Sequence, residues 1–204
     1  RDLKYVVLDE LHSLVTSKRG HLLSLALARV RRHAPHVRFI GLSATVAEPM
    51  DLRRYLAPQG QGEPPAGLIT VEGGAKPNIA ILQTEERIPW SGHSARYAMK
   101  DLYPALKAHQ TTLIFVNTRS QAERIFQELW NVNDDNLPIA LHHGSLDAGQ
   151  RRRVEAAMAE NKLRAVVATS TLDLGIDWGD VDLVVHVGAP KGASRLAQRI
   201  GRAN

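Results

Sequence analysis

The sequence predicts an α/β fold built on parallel sheet. Short runs rich in Val, Ile and Leu alternate with amphipathic helical patterns along the chain. Several of the runs end in carboxylates, hydroxyls or amides, the groups that strand ends of a parallel sheet present to a ligand crevice. The 204 residues are 44% hydrophobic and 23% charged, an ordinary globular balance with enough length for one large or two modest domains.

In chain order, strands are predicted at 5–8, 37–42, 79–82, 112–116, 138–141, 164–168 and 182–187, and helices at 22–33, 47–56, 95–108, 119–131, 148–160 and 193–201. The 119–131 segment shows its buried face in the spacing of Ala122, Ile125, Phe126 and Leu129. Pro104 puts a break in the 95–108 helix in question. Pro58-Gln59-Gly60-Gln61-Gly62-Glu63-Pro64-Pro65 has the composition of a linker, giving an incomplete first domain over 1–57, a linker over 58–67 and a second domain over 68–204. The crevice between the two domains is the expected ligand site.

The composition narrows the classes. There is no cysteine, which removes disulfides and thiolate metal sites. No apolar run reaches the roughly 20 residues of a membrane-spanning helix, so no membrane partner is expected and a cytoplasmic location is. A formal charge of +5, with basic clusters at 29–33 and 151–153, suits phosphate partners but equally suits solvated helix faces. The chain begins with Arg1 and enters a core strand almost at once, which reads as a segment of a larger protein.

Chemistry concentrates where the strand runs end. Lys4-Tyr5-Val6-Val7-Leu8 leads into Asp9-Glu10-Leu11-His12; one carboxylate there can hold a magnesium ion and the next can deprotonate a water, although spacing alone allows a helix cap. Ser43-Ala44-Thr45 follows the next strand, and its hydroxyls can bond the acid cluster. Asn117-Thr118-Arg119 follows 112–116, and His142-His143-Gly144-Ser145 follows 138–141. The adjacent histidines lack further ligands at metal-site spacing, so phosphate-backbone contacts are the better reading of that turn. Thr169-Ser170-Thr171 through Gly175-Ile176-Asp177 offers hydroxyls, backbone N–H groups and an acid for a ribose hydroxyl. Gln198-Arg199-Ile200-Gly201-Arg202 places two arginines three apart on one helical face, able to stabilise charge on a transferred phosphoryl group or to make surface ion pairs.

Taken in order, these pieces resemble motifs II to VI of the superfamily 2 helicases, whose motor is two RecA-like parallel-sheet domains around an ATP cleft. Asp9-Glu10-Leu11-His12, Ser17-Lys18-Arg19-Gly20, Leu172 to Asp177 and Val187 to Gly192 are similar to the Lhr group, in particular its bacterial ligase-associated DEXH branch. The resemblance implies an ATP-dependent DNA helicase or translocase that moves on single-stranded DNA in repair, with ATP and Mg2+ as cofactors and repair proteins such as a ligase or nuclease as partners. It implies that Asp9 binds magnesium through water, that Glu10 is the catalytic base, that His12, at the nucleotide site, couples that site to the partner domain, that Gly175 and Asp177 face the nucleotide, and that Gln198 closes over its γ-phosphate. By the same resemblance, Arg199 and Arg202 close over the γ-phosphate, Ser43 and Thr45 couple the domains, and Asn117, Thr118, Arg119, His143, Gly144, Ser145 and Thr169 grip the nucleic-acid backbone. Lys18 and Arg19 are further candidates for DNA contact.

One departure qualifies this. No Gly-x-x-x-x-Gly-Lys-Ser/Thr occurs in the sequence, so the first RecA-like domain lacks its P-loop part and the segment alone is not expected to hydrolyse ATP. An RNA helicase, or a nucleic-acid-binding module without a motor, are the alternatives.

Overall fold

A computed structural model describes residues 3–15, 17–43, 48–58, 62–71, 76–86, 90, 95–173, 180–189 and 192–201. The chain divides into two units, residues 1–74 and 75–204.

In the first unit β1 (Tyr5–Leu8) pairs in parallel with β2 (Arg38–Gly41), Tyr5 opposite Arg38 and Leu8 opposite Gly41. Parallel strands need a long crossover, supplied here by α1 (Leu11–Val15) and α2 (Lys18–His33). A third helix, α3 (Met50–Leu56), follows β2. Side chains alternate across a strand, so Val6, Leu8 and Phe39 pack with Leu11, Leu27, Leu52 and Leu56, while Tyr5, Val7 and Ile40 lie exposed on the other face. Two backbone bonds extend the ladder past the strand ends: Leu42 N donates to Leu8 O (2.8 Å) and Leu11 N donates to Leu42 O (2.9 Å). They draw residues 9–12 toward residue 43.

Helix α2 starts four residues before the position periodicity indicates, because Ser17 caps it: its Oγ accepts from Gly20 N at 3.0 Å. Arg31, in the basic cluster, is spent on the fold. Its guanidinium donates to the carbonyls of Leu56 and of Ala57 (2.9 Å), satisfying the end of α3, and it sits 4.3 Å from the Phe39 ring centroid.

The second unit is a four-stranded sheet in the order β4-β5-β3-β6, all parallel, formed by β3 (Thr111–Val116), β4 (Ile139–His142), β5 (Ala165–Ala168) and β6 (Val181–Val187). Helices α4 (Met99–Ala108), α5 (Arg119–Asn131), α6 (Ala148–Ala159) and α7 (Ala193–Ile200) complete it. Every residue of the central strand β3 is buried, as a parallel strand covered on both faces requires. Ile114, Val116 and Val167 meet Leu102 and Leu106 of α4 and Ile125 and Leu129 of α5. Leu113, Phe115 and Val166 meet Met158 of α6 and Leu172. Because all strands run one way, their carboxyl ends share one edge, the edge that carries the polar turns.

Two expectations resolve here. Helix α4 runs through Pro104 without a break, since Met99, Leu102 and Leu106 bury its face and outweigh one missing N–H. The expected strand at 79–82 is corrected: residues 76–86 form neither helix nor strand, and Ile79 and Ile81 are 70% and 84% exposed. A β-branched run becomes a strand only by pairing, and none of the described residues pairs with it. Among the described residues no helix is long and apolar enough to cross a membrane.

Candidate functional site

In the first unit the acid pair occupies the turn that closes β1. Glu10 takes φ of +51°, a left-handed conformation that a non-glycine residue adopts only when its surroundings hold it there. Three bonds hold it: Asp9 Oδ1 accepts from Glu10 N (2.8 Å), and Ser13 N (2.9 Å) and Ser13 Oγ (2.8 Å) both donate to Glu10 O. Strain of this kind, about 1–3 kcal/mol, is retained at functional sites. Glu10 Oε2 lies 3.3 Å from His12 Nε2, buried and without a hydrogen bond of good geometry. His12 Nδ1 is 3.1 Å from Ser43 Oγ. Glu10, His12 and Ser43 are therefore brought into one line at the carboxyl end of β1 and β2, whereas Thr45 lies outside the described residues.

The donor set fits a magnesium nucleotide in a limited way. Asp9 is exposed, and Glu10 Oε2 is buried beside His12 with no hydrogen-bond partner among the described residues. Among the described residues no three His, Asp, Glu or Cys side chains group as a metal cage. Magnesium held through Asp9 would thus draw its other oxygens from phosphate and water, as this ion commonly does.

In the second unit the strand ends supply a row of polar turns. Thr118 caps α5, its Oγ1 accepting from Gln121 N at 3.2 Å. Asn117 Nδ2 donates to Ala189 O (3.0 Å), tying the end of β3 to the loop after β6, where Gly188 has φ of +84°. Arg119 Nε reaches Glu123 Oε1 at 2.9 Å, which holds the Glu123 carboxyl below the usual carboxylate range. Arg119, Gly144 and Ser145 are exposed, and Thr169 is half-buried with its N donating to His142 O at 3.2 Å.

His143 departs from its expected place. Its side chain is buried, with Nε2 3.5 Å from Glu123 Oε1, so any contact with a strand from this residue comes from its main chain. His142 is buried as well: Nδ1 lies 2.8 Å from Thr171 Oγ1 and Nε2 lies 3.0 Å from Glu155 Oε1. Burial pushes its pKa down, opposed by Glu155.

Helix α7 holds the largest difference from expectation. Arg199 is 2% exposed and faces Asp173, Nε to Oδ1 at 2.7 Å and Nη2 to Oδ2 at 3.3 Å, with its guanidinium 4.2 Å from the Phe115 ring centroid. Arg195 Nε adds a third contact, 3.2 Å from Asp173 Oδ2. The Arg199 guanidinium is thus a buried partner of Asp173. Removing one member of such a pair costs about 3–5 kcal/mol, because the other charge is left buried. Gln198 Nε2, one residue earlier, is buried with no hydrogen-bond partner among the described residues. Gly175, Asp177 and Arg202 lie outside the described residues.

Sequence reasoning does not reach Asp173, Arg195, Phe115 or Glu123. The i, i+4 spacings of Arg195 with Arg199 and of Arg119 with Glu123 are the local signals; the rest is tertiary pairing across 20 or more residues.

A strained acid turn after a parallel strand, and a second parallel sheet whose carboxyl edge carries polar turns and an arginine helix, define an α/β protein with its chemistry-bearing side chains at strand ends. Known proteins agree. Residues 96–204 match the helicase conserved C-terminal domain and residues 1–52 the DEAD/DEAH box helicase domain. The ATP-dependent helicase Lhr-Core protein 2 of Thermococcus barophilus is 37% identical over 208 residues, covering 100% of this chain and 24% of that protein. The ATP-dependent helicase Lhr-Core of Methanocaldococcus jannaschii is 36% identical, covering 98% and 23%. The helicase Lhr of Mycobacterium smegmatis bound to ssDNA and AMP-PNP superposes with a TM-score of 0.79 at 32% identity, covering 98% of this chain and 27% of that one. The chain belongs to the Lhr-type helicases of superfamily 2, and both units are RecA-like. It spans about a quarter of the length of the relatives it matches.

Proposed function

We propose that the chain is part of the motor of an ATP-dependent DNA helicase or translocase that hydrolyses ATP to move along single-stranded DNA. The observation that carries this reading is the Glu10–His12–Ser43 line beside the strained turn, in a chain of the Lhr type. Glu10 takes the proton of the attacking water, and His12 and Ser43 pass the state of that site to the rest of the protein. Magnesium, held through Asp9, supplies charge neutralisation to the phosphates when bound. Arg202, Gln198, Gly175 and Asp177 act on the nucleotide from the second unit. Asn117, Thr118, Arg119, Gly144, Ser145 and Thr169, with the main chain of His143, hold the strand by its phosphates. Functionally, residues 1–57 and 68–204 act as the two working parts, joined by 58–67. A role in DNA repair and repair partners such as a ligase or nuclease complete the proposal on the sequence resemblance alone, and a cytoplasmic location is proposed with them. Turnover is assigned to the whole protein, since these residues contain no phosphate-binding Gly-Lys loop.

The test is ATPase activity of the full-length protein without nucleic acid, with single-stranded DNA and with single-stranded RNA. Stimulation by DNA is expected, and Glu10→Gln is expected to abolish it while ATP binding persists. Stimulation by RNA alone would make this an RNA motor, and stimulation by neither would make it a binding module.

A further inference from the structure

We infer that Asp173 is a positioning residue, a carboxylate clamp that sets helix α7 on the sheet and ties its placement to the turn after β5. This rests on the proposed function for the meaning of the two ends, but the clamp itself stands on geometry. Helix α7 has eight residues, too few to be stable in water without tertiary contacts. Its N-cap is Gly192 at φ of +97°, with no side-chain cap bond. What fixes it is the pair of arginines at i and i+4, both turned to Asp173, with Arg199 laid on Phe115 of the central strand. His186 of β6 stacks on the far part of that layer, 5.8 Å from Phe115 between centroids, and burial followed by the Arg199 charge pushes its pKa down.

Asp173 is itself held from the other side. Its N donates to Ser170 O at 3.2 Å, and within the same short turn Thr171 Oγ1 lies 2.8 Å from His142 Nδ1, at the end of β4 next to the His143-Gly144-Ser145 turn. The short 170–173 turn therefore carries both the Thr171 contact to His142, next to the proposed strand-gripping turn, and the Asp173 carboxylate that holds Arg199 and the helix bearing Gln198. Gln198 lies on α7 itself, so a shift of that helix moves a residue proposed to act on the nucleotide. In this arrangement Arg199 acts through the placement of α7, which bears Gln198.

The experiment uses the full-length protein and an oligo-dT strand. Asp173→Asn keeps the shape and removes the charge. It is expected to lower the ratio of DNA-stimulated to DNA-free kcat about tenfold, within the usual range of coupling between sites, while KM for ATP and Kd for oligo-dT change by less than about threefold. Hydrogen exchange in the same variant should rise across 193–201 and stay unchanged in β3 and α5. Asp173→Glu should restore part of both effects. A wild-type stimulation ratio in Asp173→Asn, or equal loss of protection throughout the second unit, would overturn the proposal. If that variant does not fold, Arg195→Ala decides: it removes the half-exposed partner alone, a fall of about two- to threefold in the ratio is expected, and no fall overturns the clamp's coupling role. Wild-type protein without nucleic-acid-stimulated turnover would defeat the proposed function and the coupling together, while exchange at α7 would still decide whether Asp173 holds the helix.

Discussion

His142 shows how far a side chain's role depends on what surrounds it. Its neighbours in sequence suggest a solvent-facing turn, yet it is 2% exposed and bonded to Thr171 and Glu155. Burial lowers its pKa in the folded protein below the ordinary histidine value of about 6.5, with Glu155 opposing. The unfolded chain therefore binds the proton more readily, and folding stability falls as pH drops below about 6.5 toward the depressed folded value. The melting temperature should fall between about pH 7.5 and about pH 5.5, and His142→Asn should shrink that fall even though it lowers stability at the upper pH. His186 has the same sign, its pKa pushed down by burial and Arg199, so some slope should remain. An equal slope in His142→Asn would show that His142 does not carry the effect. Asp9 and Glu10 stand out in the sequence because two carboxylates directly follow a strand. Asp173 does not, because its meaning lies in arginines 22 and 26 residues away.

Elements were readable where local chemistry and packing agree. Helix α5 occupies the residues its pattern indicates, since Thr118 supplies the cap and Ala122, Ile125 and Leu129 supply the buried stripe. Helix α1, at five residues, is too short to show a period, and the run at 79–82 has the strand composition without a pairing partner among the described residues. The junction of α1 and α2 makes a sharper demand: a Cβ on Gly20 would lie 1.9 Å from Leu14 O, while Tyr55 Oη donates to Gly20 O at 2.6 Å. Gly20→Ala must push main chain apart, so it should lose about 1–3 kcal/mol in chemical denaturation. A loss below about 0.5 kcal/mol would mean that the junction relaxes freely.

The two units differ in how completely each is closed. The second buries the whole of β3 between helices on both faces, whereas the first leaves Tyr5, Val7 and Ile40 of its two-stranded sheet exposed. Between the elements of the two units, residues 62–71 and 76–86 contain no regular structure, and Leu68, Ile69, Val71 and Ile81 are exposed. Limited proteolysis should cut there first and leave a fragment spanning 95–204 that unfolds cooperatively on heating. Early cleavage inside β3 to β6 would contradict that. By itself the sequence determined the α/β class, the parallel strands of the second unit and the positions of the acid, hydroxyl and arginine motifs, because periodicity and strand-end chemistry are local. Which charges are spent was set by the fold: Arg31 satisfies the end of α3, and Arg199 is locked to Asp173. A buried ion pair forms only when distant residues converge out of water, and no spacing along the chain encodes that convergence.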